Sequence, residues 1–228
     1  MKARTILVLA FATAIPTLLV AAPPPPDEDP PLKLVQTIPL NGVRGRMDHL
    51  AVDTRGTQLY VAALENNTVE VIDLAAGKQS HRIEGLEHPS GIWVLHDANR
   101  LVVASSKDGR CRFYDAALKL VGEVKSLPNA DNVRYDPKTK RVYVAYGDGA
   151  LAVIDAEKTE KIAEIKLDGH PESFQLESGG PRIFANVPDG RQIAVIDREK
   201  NAVVAKWPVT LALANFPMAL DEKNHRLL

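Results

Sequence analysis

The sequence predicts an all-β protein: a β-propeller of four-stranded antiparallel blades with a repeat of about 42 residues, four blades complete and a fifth partial. Three recurring patterns predict it. The first is an apolar run ending in aspartate: Val69 to Asp73, Cys111 to Asp115, Leu151 to Asp155 and Ile193 to Asp197. The aspartates stand 42, 40 and 42 residues apart. The second pattern precedes it in each unit, as Leu59 to Ala62, Leu101 to Ala104, Val142 to Ala145 and Ile183 to Asn186. The third comes earlier still, as Leu50 to Asp53, Ile92 to Leu95, Val133 to Asp136, Phe174 to Glu177 and Met218 to Asp221.

The runs are short, rich in β-branched and aromatic residues, and bounded by turn formers, which favours strand over helix. Arg55-Gly56, Ala98-Asn99, Pro137-Lys138 and Gly179-Gly180-Pro181 separate the first strand from the second. Asn66-Asn67, Asp108-Gly109, Gly147-Asp148-Gly149 and Asp189-Gly190 separate the second from the third, and Asn and Gly accept the positive φ of tight hairpins. A fourth run follows each aspartate: Gln79 to Ile83, Leu120 to Val124, Lys161 to Ile165 and Val203 to Trp207. One such unit cannot bury both of its faces alone, so neighbours must stack.

Ahead of the repeats, residues 1–22 read as a signal peptide. Lys2 and Arg4 precede a 17-residue apolar run from Ile6 to Ala22, ending in the small pair Ala21-Ala22. A membrane anchor needs about 17–25 apolar residues, and Pro16 interrupts this run. Export to the periplasm or the medium is expected, and the mature chain has no membrane span if the signal is cleaved. Pro23 directly follows Ala22, so both cleavage and retention as an anchor stay open. Residues 23–31, PPPPDEDPP, form an acidic tether of extended polyproline type. Residues 32–228 are the propeller repeats. Leu34 to Leu40 matches a fourth strand without its first three and is expected to complete the last blade. That blade stops inside its second strand at Leu228, so the repeat array reads as incomplete.

Composition narrows the function. An apolar share of 45% is too rich for a disordered chain. A net charge of −1 lacks the basic excess of a nucleic-acid binder. The single cysteine excludes a disulfide framework and a cysteine-rich zinc module.

The words LYVAA (Leu59 to Ala63), VYVAY (Val142 to Tyr146), VEVIDL (Val69 to Leu74) and LAVID (Leu151 to Asp155) make the region from Leu32 onward resemble the YVTN-type β-propeller repeat family of exported bacterial proteins. The resemblance implies an exported propeller, often of seven blades. It names no activity, because the family mixes many roles.

Several residue series invite chemistry. Asp73, Asp115, Asp155 and Asp197 sit at strand ends, where a carboxylate caps turn amides. Arg100, Arg141, Arg182 and Arg226 open second strands, where a neighbouring carboxylate would pair them. Cys111 occupies a slot filled elsewhere by Val69, Leu151 and Ile193, so it is expected to be a buried hydrophobe. No CxxCH exists, which excludes covalent c-type haem. Phosphate loops, GxSxG and HExxH are absent too.

The loops entering the first strands differ from unit to unit and carry the candidate site. They supply Asp48 and His49, His88, Asp131 and Asn132, His170 and Glu172, and Asn215. In a propeller these loops meet at one mouth of the central channel. Asp48, Asp131 and Glu172 each lie five residues before the end of a first strand, so they share one slot. Like charges in one slot call for a cation or a basic partner among them. Asp48, His49, His88, Asp131, His170 and Glu172 are therefore the candidate ligands of a divalent metal ion. The functional expectation is a scaffold that binds a protein or small-molecule ligand. The alternatives are a metal-assisted hydrolase of the lactonase kind and a structural surface repeat.

Overall fold

The computed structural model describes residues 32–212 and 214–228. The expected signal peptide (1–22) and tether (23–31) lie outside the described residues. The repeats form antiparallel sheets in chain order. Blade 1 is β1 (Leu50–Val52), β2 (Gln58–Ala63), β3 (Thr68–Asp73) and β4 (Lys78–Ile83). Blade 2 is β5 (Pro89–Leu95), β6 (Arg100–Ser105), β7 (Arg110–Tyr114) and β8 (Leu120–Val124). Blade 3 is β9 (Val133–Asp136), β10 (Arg141–Tyr146), β11 (Ala150–Asp155) and β12 (Glu160–Lys166). Blade 4 is β13 (Phe174–Leu176), β14 (Arg182–Val187), β15 (Gln192–Asp197) and β16 (Ala202–Pro208). A fifth, two-stranded sheet pairs β17 (Leu220–Asp221) with β18 (Arg226–Leu227). The only helix among the described residues is a single 3-10 turn, Leu64–Asn66.

Each blade is apolar on both faces because strand side chains alternate. Val142, Val144 and Tyr146 of β10 turn toward blade 2 and join Phe113, Cys111 and Leu127. Tyr143 and Ala145 of the same strand turn toward blade 4 and join Phe174 and Ile183. A similar layer, with Tyr60, Val71, Val94 and Val103, lies between blades 1 and 2. A smaller one, Phe184, Val195 and Met218, faces the two-stranded sheet. Each fully buried Val, Leu, Ile or Phe contributes about 1.5–3 kcal/mol. Stability thus resides in the layers between blades, and the first strands β1, β5, β9 and β13 are carried on them.

The turn aspartates act as expected. Asp115 Oδ1 accepts the amides of Ala117 and Lys119, Asp155 Oδ1 those of Glu157 and Lys158, and Asp197 Oδ1 those of Glu199 and Lys200. The arginine series is mixed. Arg182 forks onto Glu177, but Arg100 Nη1 donates instead to the Ala156 carbonyl of blade 3 and ties two blades together.

Two features depart from the sequence reading. Leu34 to Leu40 forms no strand. As a fourth strand it would need a third to pair with, and the last sheet has only two. The other is a bulge repeated in all four complete blades, where the fourth strand slips against the residues just before or at the end of the third. The extra residues are Ser80, Val121, Ile162 and Val204. Bulges strengthen strand twist. This one leaves Val121, Ile162 and Val204 exposed on the outer strands.

Candidate functional site

Three loops enter their blades in the same way. The Asp48 amide donates to the Ala62 carbonyl at 2.8 Å, and the Ala62 amide donates back to His49 at 3.0 Å. Asp131 and Asn132 form the same pair with Ala145, and Glu172 and Ser173 with Asn186. Asp48, Asp131 and Glu172 are thereby held at equivalent positions by the second strands of blades 1, 3 and 4. In blade 2 the equivalent residue is Ser90, and a register shift between Pro89 and Ile92 interrupts the ladder there.

Asp131 is where the loops meet. His49 Nε2 of blade 1 lies 3.5 Å from its Oδ1, and His170 Nε2 of blade 4 lies 4.0 Å from its Oδ2. His49 Nε2 is also 3.7 Å from Asp48, which Arg46 holds at 3.0 Å. His170 Nδ1 lies 2.6 Å from the Gly147 carbonyl, which can only accept, so the ring donates there and turns Nε2 to the carboxylate. Asn129 Nδ2 stands 3.4 Å from the same Nδ1. Asp131 Oδ1 is buried without a hydrogen-bond partner. A buried carboxylate oxygen without a donor is costly, and a donor brought by a ligand relieves it.

The charges respond to one another. The imidazole of His170 is raised above its ordinary value, chiefly by its interaction with Asp131, against the opposing effect of burial. The Glu172 carboxyl is also raised, first by burial and then by Asp131, Asp189 and Asp48, with His170 opposing. Asp48, Asp131, Glu172 and Asp189 therefore share one field, tempered by two histidines.

The remaining candidates engage other partners. His88 is placed by its backbone: its amide donates to Asn67 Oδ1, its carbonyl accepts from Ser106, and its φ is +52°. Asn132 turns its Oδ1 to Arg134 Nη1. Asn215 donates to Asn186 Oδ1, and Asn186 in turn donates to the Phe216 and Pro217 carbonyls. The six candidate metal ligands are not gathered into one group in this structure. Among the described residues no three His, Cys, Asp or Glu side chains stand as a metal ion requires. The His88 backbone is held between the hairpins of blades 1 and 2, and His170 commits one ring nitrogen to Gly147. Cys111 is fully buried, and its thiol is pushed up to about 12 by desolvation, which keeps it protonated and inert.

The sequence reading missed Gly91. A Cβ there would lie 2.0 Å from the Asp131 carbonyl oxygen and 2.9 Å from Val133 Cγ2. Only glycine lets the first strand of blade 2 approach the Asp131 loop so closely. A cleft of about 460 Å³ beside Phe184, Trp207, Leu220 and Leu227 borders the two-stranded sheet and has no mouth candidate in its lining.

No protein-family profile matches the chain, and no curated protein matches it. Solved structures do match. Hydrazine synthase of Kuenenia stuttgartiensis superposes with a TM-score of 0.64 at 21% identity, over 70% of this chain and 48% of that one. The chain thus spans about half the length of that protein. The fold is a β-propeller of four-stranded blades. At this identity the likeness concerns fold alone, and folds of this kind host unrelated activities. No helix among the described residues is long and apolar enough to cross a membrane.

Proposed function

We propose that the chain is an exported propeller-repeat scaffold of the YVTN type, whose channel mouth binds a polar ligand that presents a hydrogen-bond donor or a positive charge. The observation that carries this reading is Asp131: a carboxylate with one buried, unpartnered oxygen, approached by histidines from two other blades. Asp48, Glu172 and Asp189 add negative field around it, so a cationic or donor-rich group is favoured over an anion at this point. Glycine and backbone contacts fix the carboxylate in advance, which lowers the ordering cost of binding. The signal pattern of residues 1–22 and the repeat words support the export and family parts of the reading.

The test titrates the full chain with methylammonium, spermidine, calcium and manganese at constant ionic strength. The readouts are calorimetry and, for the diamagnetic probes, the ring resonances of His49 and His170. At least one cation is expected to bind in the millimolar range or tighter and to lose about tenfold in Asp131→Asn, equivalent to about 1.4 kcal/mol. Absence of any saturable response, or an equal response in Asp131→Asn, overturns the reading. Export is checked separately by fractionation, where an uncleaved chain confined to the cytosol contradicts it.

A further inference from the structure

Arg134 lies two residues beyond Asn132 on β9, at a register position that Ala51, Trp93 and Gln175 fill in the other blades. It is a charge set into an apolar strand, between Val133 and Tyr135, both buried. Its guanidinium lies 4.9 Å from the ring centroid of Trp93 in blade 2 and 5.6 Å from that of Phe174 in blade 4. Two aromatic rings from the neighbouring blades thus hold one cation at the inner ends of three blades.

Its polar partners are all neutral. Nη1 donates to Asn132 Oδ1 at 2.5 Å and to the Val133 carbonyl at 2.8 Å. Nε is buried with no partner. Nη2 makes no hydrogen bond among the described residues, yet it is not sealed from solvent as Nε is. The buried Arg112 and Arg198, by contrast, each have a carboxylate partner, Asp108 and Asp136. Arg134 has none within ion-pair distance among the described residues. Burial lowers it to about 10, a measure of how far the charge stands from water. A largely buried cation without a counter-ion is costly to fold around unless something supplies the negative charge.

We propose that Arg134 is an oxyanion subsite at the inner rim of the channel, which takes the carboxylate of an organic monoanion. Two features select that class. With Nη1 committed and Nε sealed, Nη2 is the donor left for a ligand, beside two flat rings that suit a planar carboxylate rather than a tetrahedral oxyanion. A single cation balances a single negative charge. The subsite is independent of the cation-seeking Asp131 and stands whether or not that carboxylate binds a ligand.

The molecule supplies its own reporter. Its two tryptophans are Trp93 and Trp207, and Trp207 packs at a tilt against Phe184 in blade 4. In the Trp207→Phe full chain, emission therefore comes from Trp93 alone. Sodium acetate and benzoate are added against chloride at matched ionic strength, with phosphate as competitor. The expected result is a saturable change in Trp93 emission, lost in Arg134→Gln and weakened about tenfold or more in Arg134→Lys, which keeps the charge but not the planar fork. Arg134→Lys decides the matter if Arg134→Gln does not fold. The proposal is overturned by no saturable change up to about 50 mM, a level typical of affinities too weak to be specific. Equal binding in Arg134→Lys overturns it, as does phosphate competing as well as acetate. A purely structural latch would give a loss of stability in both variants with no carboxylate response in the parent.

Discussion

Gly91→Ala is the sharpest single perturbation of the mouth. The added methyl would stand 2.0 Å from the Asp131 carbonyl oxygen and 2.9 Å from the carbonyl carbon. The nearest comfortable C···O approach is about 3.3 Å, so the Asp131 loop must shift away from blade 2 by about 1 Å. Both obstructing atoms are backbone, so no side chain can swing away. Overpacking of this kind costs about 1–3 kcal/mol. A shift of that size also breaks the 2.8 Å bond from the Asp131 amide to the Ala145 carbonyl, worth about 0.5–1.5 kcal/mol. The total is about 2–4 kcal/mol, or roughly 4–16 °C in melting temperature for a chain of this size. Thermal unfolding by circular dichroism measures it. Because Asp131 leaves the position it holds beside His170, the raised His170 value should shift in the same variant. A Gly91→Ala chain that melts within about 1 °C of the parent, with an unaltered His170 titration, would refute the close-approach argument.

Three further outcomes follow from the same geometry. Phe113→Ala, which empties a fully buried site between blades 2 and 3, should cost about 3–5 kcal/mol in urea unfolding, whereas an effect below about 1 kcal/mol would mean the layer is not the source of stability. Cys111 should resist iodoacetamide in the native state at pH 8 and react only once the chain is unfolded in urea, and rapid native labelling would contradict its burial. The folded Glu172 carboxyl is raised above 4.5, so its ionisation weakens the fold. That cost is absent below 4.5 and complete above the raised value. Glu172→Gln should therefore stabilise the protein at pH 7 by up to about 1 kcal/mol, since the group is partly solvated, with the gain vanishing in acid. Destabilisation at pH 7 would show that the carboxylate is held by favourable contacts instead.

The blades were legible because their period is carried by features that local physics repeats: apolar alternation, turn residues and a capping aspartate. Asp48, Asp131 and Glu172 could be placed in one slot by counting, since the slot is a register property. His88 misled for the same reason. It precedes a proline as His170 does, but Ser90 holds the slot in blade 2, and the ladder is shifted there. The repeated bulge was not legible, because one extra residue in an outer strand leaves the turn signals intact. Gly91 and Arg134 were missed because their roles lie in neighbours about 40 residues away, Asp131 for one and Trp93 and Phe174 for the other. A charge between Val133 and Tyr135 was the one available signal for Arg134.

The central claim is that loops from different blades converge on Asp131, and the His170 titration tests it most directly. Side-chain NMR assigns the His170 ring by comparison with His170→Gln and follows it from pH 4 to 10 in the parent and in Asp131→Asn. The raised imidazole lends the fold stability below 6.5, and that stability fades as pH rises through the folded value. The account predicts a His170 midpoint above 6.5 in the parent and a clear downward move in Asp131→Asn, with the stability difference between the two chains present at pH 6 and largely gone at pH 9. An unshifted midpoint in the parent, or the same midpoint in both chains, would contradict it.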